Sequence, residues 1–140
     1  MSRRRGLSLI EVVLALVILA LALPPFALQV RAGAEAYVAA RTQQILAALA
    51  SERVTEVFAD HALATRGHGY VTSAAYPRET DAGGRTGYVR DTTVVEVDPA
   101  DFATPRAGTG VKRFRVWVRA PDGREMVVQS FVVNATGAAP

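Results

Sequence analysis

The sequence contains no cysteine, which excludes the disulfide framework that stabilises many small exported domains. It also excludes a cysteine-based metal site. Histidine is scarce, with His61 and His68 as the only examples. A metal site built on them would need further ligands close by, such as Asp60. We therefore expect both histidines to be solvent-exposed residues of a loop or a helix end.

Signatures of catalysis are missing as well. The chain has no Gly-x-Ser-x-Gly elbow and no P-loop, and four of its serines have no evident His-Asp pairing (Ser8, Ser51, Ser73 and Ser130). The carboxylates near the loop after residue 97 do not follow the spacing of a known calcium loop (Asp91, Glu96, Asp98 and Asp101). We predict that the protein is not an enzyme and uses neither a cofactor nor a metal.

The excess of positive charge is confined to the first few residues. The formal net charge is +3, but Arg3, Arg4 and Arg5 stand together at the start of the chain. The remaining basic and acidic side chains number 13 each, so the rest of the chain is formally neutral. A nucleic-acid-binding domain usually keeps a positive excess in its folded part, and this composition argues against that class.

Charge is absent altogether from residues 12–28, and the apolar run begins at Leu7 with Ser8 and Glu11 as its polar members. As a helix, residues 7–28 would extend about 33 Å, which is enough to cross a bilayer core of roughly 30 Å. The three arginines before the run predict that its N-terminal end stays in the cytoplasm. The chain from about Gln29 onward then lies outside the inner membrane.

Four interpretations of this segment compete. It could be a plain membrane anchor, a twin-arginine signal, or a secretory signal peptide with a small-residue cleavage site at Ala32-Gly33-Ala34. The fourth is a leader that is cut after Gly6.

Glu11 distinguishes among these interpretations, because a carboxylate inside an apolar membrane helix costs a few kcal/mol. No basic side chain lies between Gly6 and Arg31 to pair with it. If cleavage follows Gly6, Leu7 gains a positive α-amino group, and Glu11 stands four residues further along the same helical face. The carboxylate could then pair with that amine in its own chain or in a neighbouring one.

Residues 5–12, Arg-Gly-Leu-Ser-Leu-Ile-Glu-Val, resemble the prepilin motif of type IV pilins and type II secretion pseudopilins. The resemblance implies that a membrane peptidase cuts after Gly6 and methylates Leu7. It also implies that Glu11 neutralises the N-terminal amine of an adjacent subunit during assembly. Two features of this chain depart from the family. Family members usually begin their mature chain with Phe, whereas this chain would begin with Leu7. Family members often have one proline in the helix, whereas this chain has Pro24-Pro25.

Residues 29–60 favour a second helical half that is rich in alanine and other good helix formers. Its apolar side chains fall on one broad side, which we expect to pack on a sheet, although Arg53 interrupts that side. The members of this side are Leu46, Leu49, Ala50, Val54, Val57 and Phe58.

Strand patterns follow in the C-terminal half. Residues 88–97, 112–119 and 125–133 read as strands, the last two joined by a turn at Pro121-Asp122-Gly123. Residues 66–87 read as a loop with one short strand near residues 70–72. The alternation in residues 112–119 predicts that Phe114, Val116 and Val118 are buried. We predict an α+β fold, with a long N-terminal helix packed on a small antiparallel sheet of three or four strands in meander order.

The opposite side of residues 112–119 carries a basic and aromatic row, Arg113, Arg115, Trp117 and Arg119. Such a row could hold phosphates and stack bases, and a DNA-uptake role is one alternative function. The other interpretation is a solvated sheet face on which the arginines pair with Glu96 or Glu125.

The strand-turn-strand region is similar to minor pseudopilins of the I type and to minor pilins of the pilus-modification kind. The two resemblances imply a leader (1–6), a transmembrane and filament-core helix half (7–28), an amphipathic half (29–60) and a periplasmic head (61–137). The expected function is that of a minor pilin or pseudopilin anchored once in the bacterial inner membrane. Its expected partners are other pilin subunits, prepilin peptidase, the inner-membrane assembly platform and the inner membrane. The alternatives are a DNA-binding competence pilin and an exported soluble protein cleaved at Ala34.

Overall fold

The computed structural model describes residues 8–63 and 65–134. Its α+β fold confirms the prediction of a long helix packed on an antiparallel sheet. Two 3-10 turns, Ser73–Ala75 and Ala82–Gly84, flank the first strand. The other elements are α1 (Leu9–Ala62), α2 (Gly67–Tyr70), β1 (Glu79–Thr80), β2 (Val89–Glu96), β3 (Val111–Arg119) and β4 (Glu125–Val133).

Helix α1 continues through Pro24 and Pro25 and ends at Ala62. The chain divides after Arg41 into two units, because residues within each unit contact one another more than they contact the other unit. In the first unit, none of the described side chains is buried. Helix α1 is also the one helix, among the described residues, that is long and apolar enough to cross a membrane. The apolar surface of residues 9–30 therefore needs lipid or other helices to cover it.

The second unit is built around a core between the last third of α1 and the sheet. The inward side chains of β3 are fully buried there, which confirms the predicted alternation of residues 112–119. Burial of each such side chain stabilises the unit by roughly 1.5–3 kcal/mol. The cluster comprises Leu46, Leu49, Ala50 and Val57 from α1, Phe114, Val116 and Val118 from β3, and Val71, Tyr76, Ala82, Ala120 and Val132.

The sheet has the predicted meander order, β1-β2-β3-β4, with all neighbours antiparallel. The β3–β4 turn confirms its sequence signal, because Gly123 has φ +85°, a left-handed conformation that glycine adopts at no steric cost. The Ala120 N–H donates to the Arg124 carbonyl at 2.8 Å and closes the hairpin.

The predicted strand at residues 70–72 is wrong. Residues 67–70 form the one-turn helix α2, and the additional strand is β1, where Glu79 pairs with Arg90. A two-residue strand has no alternation that sequence could reveal. The segment read as a loop also contributes to the core, since Val71 and Tyr76 are buried.

Arg53 does not interrupt the buried side of α1, as the sequence suggested, but belongs to it. Only 2% of Arg53 is exposed, and its guanidinium bonds the Glu79 carboxylate. Arg90 is buried on the facing strand and donates to Glu79 at 2.7 Å and to the Leu49 carbonyl at 2.9 Å. We call Arg53, Glu79 and Arg90 the Glu79 clamp. It joins α1 to β1 and β2 and supplies the partners that buried charges require.

Phe58 lies at the margin of the core rather than inside it. Its ring is 42% exposed and meets the Phe114 ring edge to face at a centroid distance of 5.5 Å.

Candidate functional site

The N-terminus of α1 is held by a reciprocal capping box formed by Ser8 and Glu11. The Ser8 N–H donates to Oε2 of Glu11 at 2.8 Å, and the Glu11 N–H donates to Oγ of Ser8 at 3.3 Å. The Ser8 carbonyl accepts the first helical bond, from the Val12 N–H at 3.2 Å. This arrangement satisfies N–H groups that a helix start leaves without partners.

The capping box gives Glu11 a local role besides the predicted pairing with an N-terminal amine. The signal was present in the sequence, since Ser-x-x-Glu before an apolar run marks a helix start. Only Oε2 is engaged within residues 8–63 and 65–134, and no cation of that part of the chain lies within ion-pair distance of the carboxylate. The predicted cleavage residues Gly6 and Leu7 and the basic residues Arg3, Arg4 and Arg5 lie outside the described residues.

Glu11 stands at one end of a shallow groove on α1, which we call the Glu11 groove. The groove measures about 390 Å³, and Glu11 is the single charged residue in its lining. The lining residues recur at helical spacing, so they share one face. Ala15 has the smallest side chain of the five lining residues. The lining consists of Glu11, Val12, Ala15, Leu16 and Leu19.

The predicted basic and aromatic row lies on the face of the sheet opposite the core, which we call the outer face. Nε1 of Trp117 donates to Glu125 at 3.2 Å, and Nε of Arg119 lies 3.8 Å from the same carboxylate. The predicted pairing with Glu125 is thus confirmed for Arg119. The predicted pairing with Glu96 is wrong, because that carboxylate accepts the Gly108 N–H instead.

The other two arginines of the row bond uncharged groups. Nη2 of Arg115 donates to Gln129 Oε1 and Nη1 of Arg113 to the Ala103 carbonyl, both at 3.3 Å. The predicted row therefore comes together on one face.

Arg78 joins this face, and sequence reasoning missed it. Its Cζ atom lies 5.9 Å from the centre of the Trp117 ring, within the range of a cation–π contact. Arg78 belongs to the segment before β1, whose course no local pattern predicts. Together the two residues flank an open pocket of about 450 Å³ lined by Arg78, Asp91, Thr93, Arg115, Trp117 and Val127.

His61 and His68 meet edge to face at a centroid distance of 5.7 Å. The expectation that both lie in solvent is wrong for His68, whose two ring nitrogens are buried without a hydrogen-bond partner. Burial, followed by the charge of Lys112, lowers the pKa of the His68 imidazole. The Lys112 ammonium donates to the carbonyls of His68 at 2.7 Å and Val71 at 2.9 Å.

The carboxylates of the loop after β2 bind their own loop. The Thr104 hydroxyl and nearby backbone N–H groups lower the pKa of Asp101 to about 2. The Ala100 N–H and the Arg106 guanidinium likewise lower the pKa of Asp98. No group of three or more metal-ligating His, Asp or Glu side chains occurs within the described ranges.

Fold and site together define a small α+β protein whose long helix is capped at its start and exposes apolar side chains along residues 9–30. Residues 1–23 match the family model of the prokaryotic N-terminal methylation motif. The match confirms the prediction of a type IV pilin-like chain, a processed subunit of the pilin or pseudopilin kind. A search of the curated proteins and a search of the solved structures each find no significant match.

Proposed function

We propose that this protein is a minor pilin or pseudopilin that is cleaved between Gly6 and Leu7, methylated on Leu7 and polymerised through α1. The filament is a type IV pilus or a type II secretion pseudopilus. The observation that carries the proposal is that the helix starts inside the matched motif, directly after the proposed cleavage site. The residues matched to the methylation motif end in an apolar helix, and the capping box opens that helix two residues after the proposed cut.

Before assembly, the subunit is stored in the inner membrane. Arg3, Arg4 and Arg5 hold the N-terminus in the cytoplasm, and residues 7–28 cross the bilayer. The head, residues 61–137, is then periplasmic and the amphipathic half, 29–60, supports it. The apolar side chains of residues 9–30, all exposed in the described chain, support this storage form.

During assembly, lipid around α1 is exchanged for neighbouring helices. The exchange replaces one apolar environment by another, so the net hydrophobic change is small. The Glu11 groove fits the side chains of such a neighbour, and the Glu11 carboxylate has Oε1 available for the Leu7 amine of an adjacent subunit. A subunit whose carboxylate is buried without that amine is penalised by roughly several kcal/mol, which fixes the register of packing.

Two variants separate the capping role of Glu11 from its charge. Glu11→Gln keeps an acceptor oxygen for the Ser8 N–H but removes the charge, since glutamine also serves in a capping box. Ser8→Ala removes the hydroxyl cap and keeps the charge. We expect Glu11→Gln to abolish incorporation into filaments and Ser8→Ala to permit it, as measured by immunoblotting sheared filaments against membranes. The opposite pattern would show that Glu11 acts through the cap and would overturn the charge mechanism.

Mass analysis of the mature N-terminus tests the processing step. We expect the chain purified from its membrane to begin at Leu7 with one added methyl group, and we expect Gly6→Leu to leave the precursor uncut. A mature chain that begins at Glu35 would instead support the exported soluble protein with a conventional signal peptide.

A DNA-binding pilin remains the second candidate function. The observation in its favour is the pocket on the outer face, where Arg78 and Arg115 flank Trp117 and make no ion pair within the described residues. The full chain in detergent should then retard DNA in a gel, and the retardation should weaken with salt and in Arg115→Gln. An unchanged shift in Arg115→Gln would remove this face as the cause.

A further inference from the structure

The outer face of the sheet carries an open pocket, which we call the Trp117 pocket. Its volume of about 450 Å³ lies within the range of small-molecule sites. The strand register builds it, because Asp91, Trp117 and Val127 oppose one another across β2, β3 and β4. Thr93 and Arg115 oppose one another in the adjacent row, two residues along each strand. The lining consists of Arg78, Asp91, Thr93, Arg115, Trp117 and Val127.

The indole of Trp117 is held at the pocket by two contacts. Its Nε1 donates to the Glu125 carboxylate at 3.2 Å, and the Cζ atom of Arg78 lies 5.9 Å from its ring centre. Because the single N–H of the indole is engaged, its apolar ring face is what remains for a ligand. The face of an aromatic ring is electron-rich and attracts groups with partial positive charge, including the C–H bonds of a saturated ring.

The charged groups of the pocket do not neutralise one another. Extending the register of β1 on β2 by one residue sets Arg78 opposite Asp91, yet the two form no ion pair. Among the residues that the structure describes, Asp91 and Arg115 have no oppositely charged partner either. One Asp91 oxygen accepts the Thr92 N–H at 2.9 Å, and Nη2 of Arg115 donates to Gln129 at 3.3 Å. The second Asp91 oxygen and most of the five N–H donors of Arg115 therefore remain for a ligand.

The chemistry of the lining indicates the class of ligand. Two arginines donate, Asp91 accepts, the Thr93 hydroxyl does both, and Trp117 and Val127 are apolar. The formal charge of the lining is +1, from two arginines and one aspartate. A sugar ring with one carboxylate matches each feature, since it has hydroxyls that donate and accept, a face of C–H bonds and one negative charge. Its carboxylate fits the fork of an arginine, which forms two parallel hydrogen bonds.

A DNA strand fits this lining less well. Its phosphates and deoxyriboses carry hydrogen-bond acceptors but, along the strand, no hydroxyl that could donate to Asp91. Each phosphate that approaches the arginines also approaches the Asp91 carboxylate, which has the same sign of charge and repels it. Asp91 therefore favours a hydroxyl-rich anion over a phosphodiester backbone.

We propose that the Trp117 pocket binds an anionic sugar, namely a pyranose ring that bears a carboxylate, as one unit of an acidic glycan. The ring lies on the face of Trp117, a ring hydroxyl donates to Asp91, and the carboxylate accepts from Arg115. The site involves neither Gly6 nor Glu11, so its failure would leave the proposed pilin function untouched. DNA would compete for the same pocket, and matched probes separate the two ligands.

Trp117 is the single tryptophan of the chain, so its fluorescence reports directly on a ligand in this pocket. The full chain in detergent is titrated with trigalacturonate, with the methyl ester of the same trisaccharide, and with a thymidylate oligomer of equal charge. We expect trigalacturonate to shift the emission to shorter wavelengths and to saturate, because the sugar displaces water from the indole. It should bind about tenfold more tightly than the ester, which lacks the charge, and about fivefold more tightly than the oligonucleotide.

Three variants test which side chains bind the sugar. Arg115→Gln should weaken trigalacturonate binding about tenfold. Arg119→Gln is the matched control, since Arg119 lies on the same strand and face but pairs with Glu125 outside the pocket, and binding should change less than about twofold. Asp91→Asn removes the charge and keeps an acceptor for the Thr92 N–H. It relieves repulsion for both anions but costs only the sugar a charged acceptor, so the preference for trigalacturonate over thymidylate should fall about fivefold.

Equal or tighter binding of the thymidylate oligomer to the parent chain would overturn the proposal, because the sugar hydroxyls would then add nothing. Equal losses in Arg115→Gln and Arg119→Gln would also overturn it, since they would indicate a general attraction of anions to positive charge. An emission that none of the three probes changes would reject the pocket as a site for anionic sugars.

Discussion

The Tyr76 hydroxyl donates a hydrogen bond of 3.1 Å to Oδ2 of Asp60, which lies near the end of α1. The other oxygen of Asp60 accepts from Arg66 at 2.5 Å. A carboxylate near a helix C-terminus is unfavourable on its own, and these two donors offset that cost. The contact joins the segment before β1 to the helix, 16 residues earlier in the chain.

Tyr76→Phe should lower the free energy of unfolding by about 1–3 kcal/mol, the range for a hydrogen bond to a charged group in a buried site. Urea unfolding of the full chain in detergent would measure it. Tyr70→Phe is the matched control: Tyr70 is 38% exposed, so its loss of a hydroxyl should cost little. An equal loss in both variants would show that the Asp60 contact contributes nothing specific.

Burial, and then the bond to Asp60, raise the pKa of the Tyr76 phenol above its ordinary value of about 10. The folded state therefore binds this proton more tightly than the unfolded state. The stabilisation is complete below pH 10 or so and is lost as the pH rises further. An ultraviolet titration should show one of the four tyrosines ionising late, and Tyr76→Phe should lack that late step. A late step that survives in Tyr76→Phe would assign it to another tyrosine.

Glu79→Ala should destabilise the head by roughly 3–5 kcal/mol, because it removes a shared partner of the buried Arg53 and Arg90. Glu52→Ala is the control. Its carboxylate lies 3.4 Å from the same Arg90 but its side chain is 60% exposed, so we expect a loss of about 1 kcal/mol or less. Urea unfolding would compare the two, and equal losses would contradict the Glu79 clamp.

Acid should weaken the head through His68. Its pKa is lowered, so the folded state disfavours the protonated ring. Its contribution to stability is present above the ordinary value of about 6.5 and is lost as the pH falls below it. Lys112, His61 and Glu96 are the charged or titratable groups that act on it. The melting temperature should fall between neutral and mildly acidic pH, and this fall should be smaller in His68→Phe than in the parent chain. In His61→Phe, the fall in melting temperature should stay closer to that of the parent chain.

Gly83→Ala should destabilise the head by about 1–3 kcal/mol through overpacking and backbone strain. Gly83 has φ +61°, and an added Cβ would lie 2.8 Å from Cδ2 of Leu49 in the core. Gly84 has φ +71° with nothing within 4 Å of its added Cβ. Gly84→Ala should therefore show the smaller backbone cost alone, of about 1 kcal/mol. Thermal unfolding of both variants would check the difference, and a larger loss in Gly84→Ala would contradict the close contact with α1.

Sequence predicted those parts of the head whose information is local. The alternation of β3 repeats every second residue, and the Pro121-Asp122-Gly123 turn carries its own conformational signature, so neither depends on distant partners. The wrong predictions concern segments whose structure depends on contacts with residues far away in the sequence. Arg53 seemed misplaced on an apolar side because its partner, Glu79, lies 26 residues further along the chain.

By itself, the sequence determined the motif at residues 1–23, the apolar helix and the identity of β2, β3 and β4, because each is encoded by short-range spacing and composition. Tertiary structure alone decided that β1 exists and that Arg78 lies beside Trp117. Those outcomes depend on contacts between segments that are far apart in the sequence, and a local sequence pattern carries no information about such contacts.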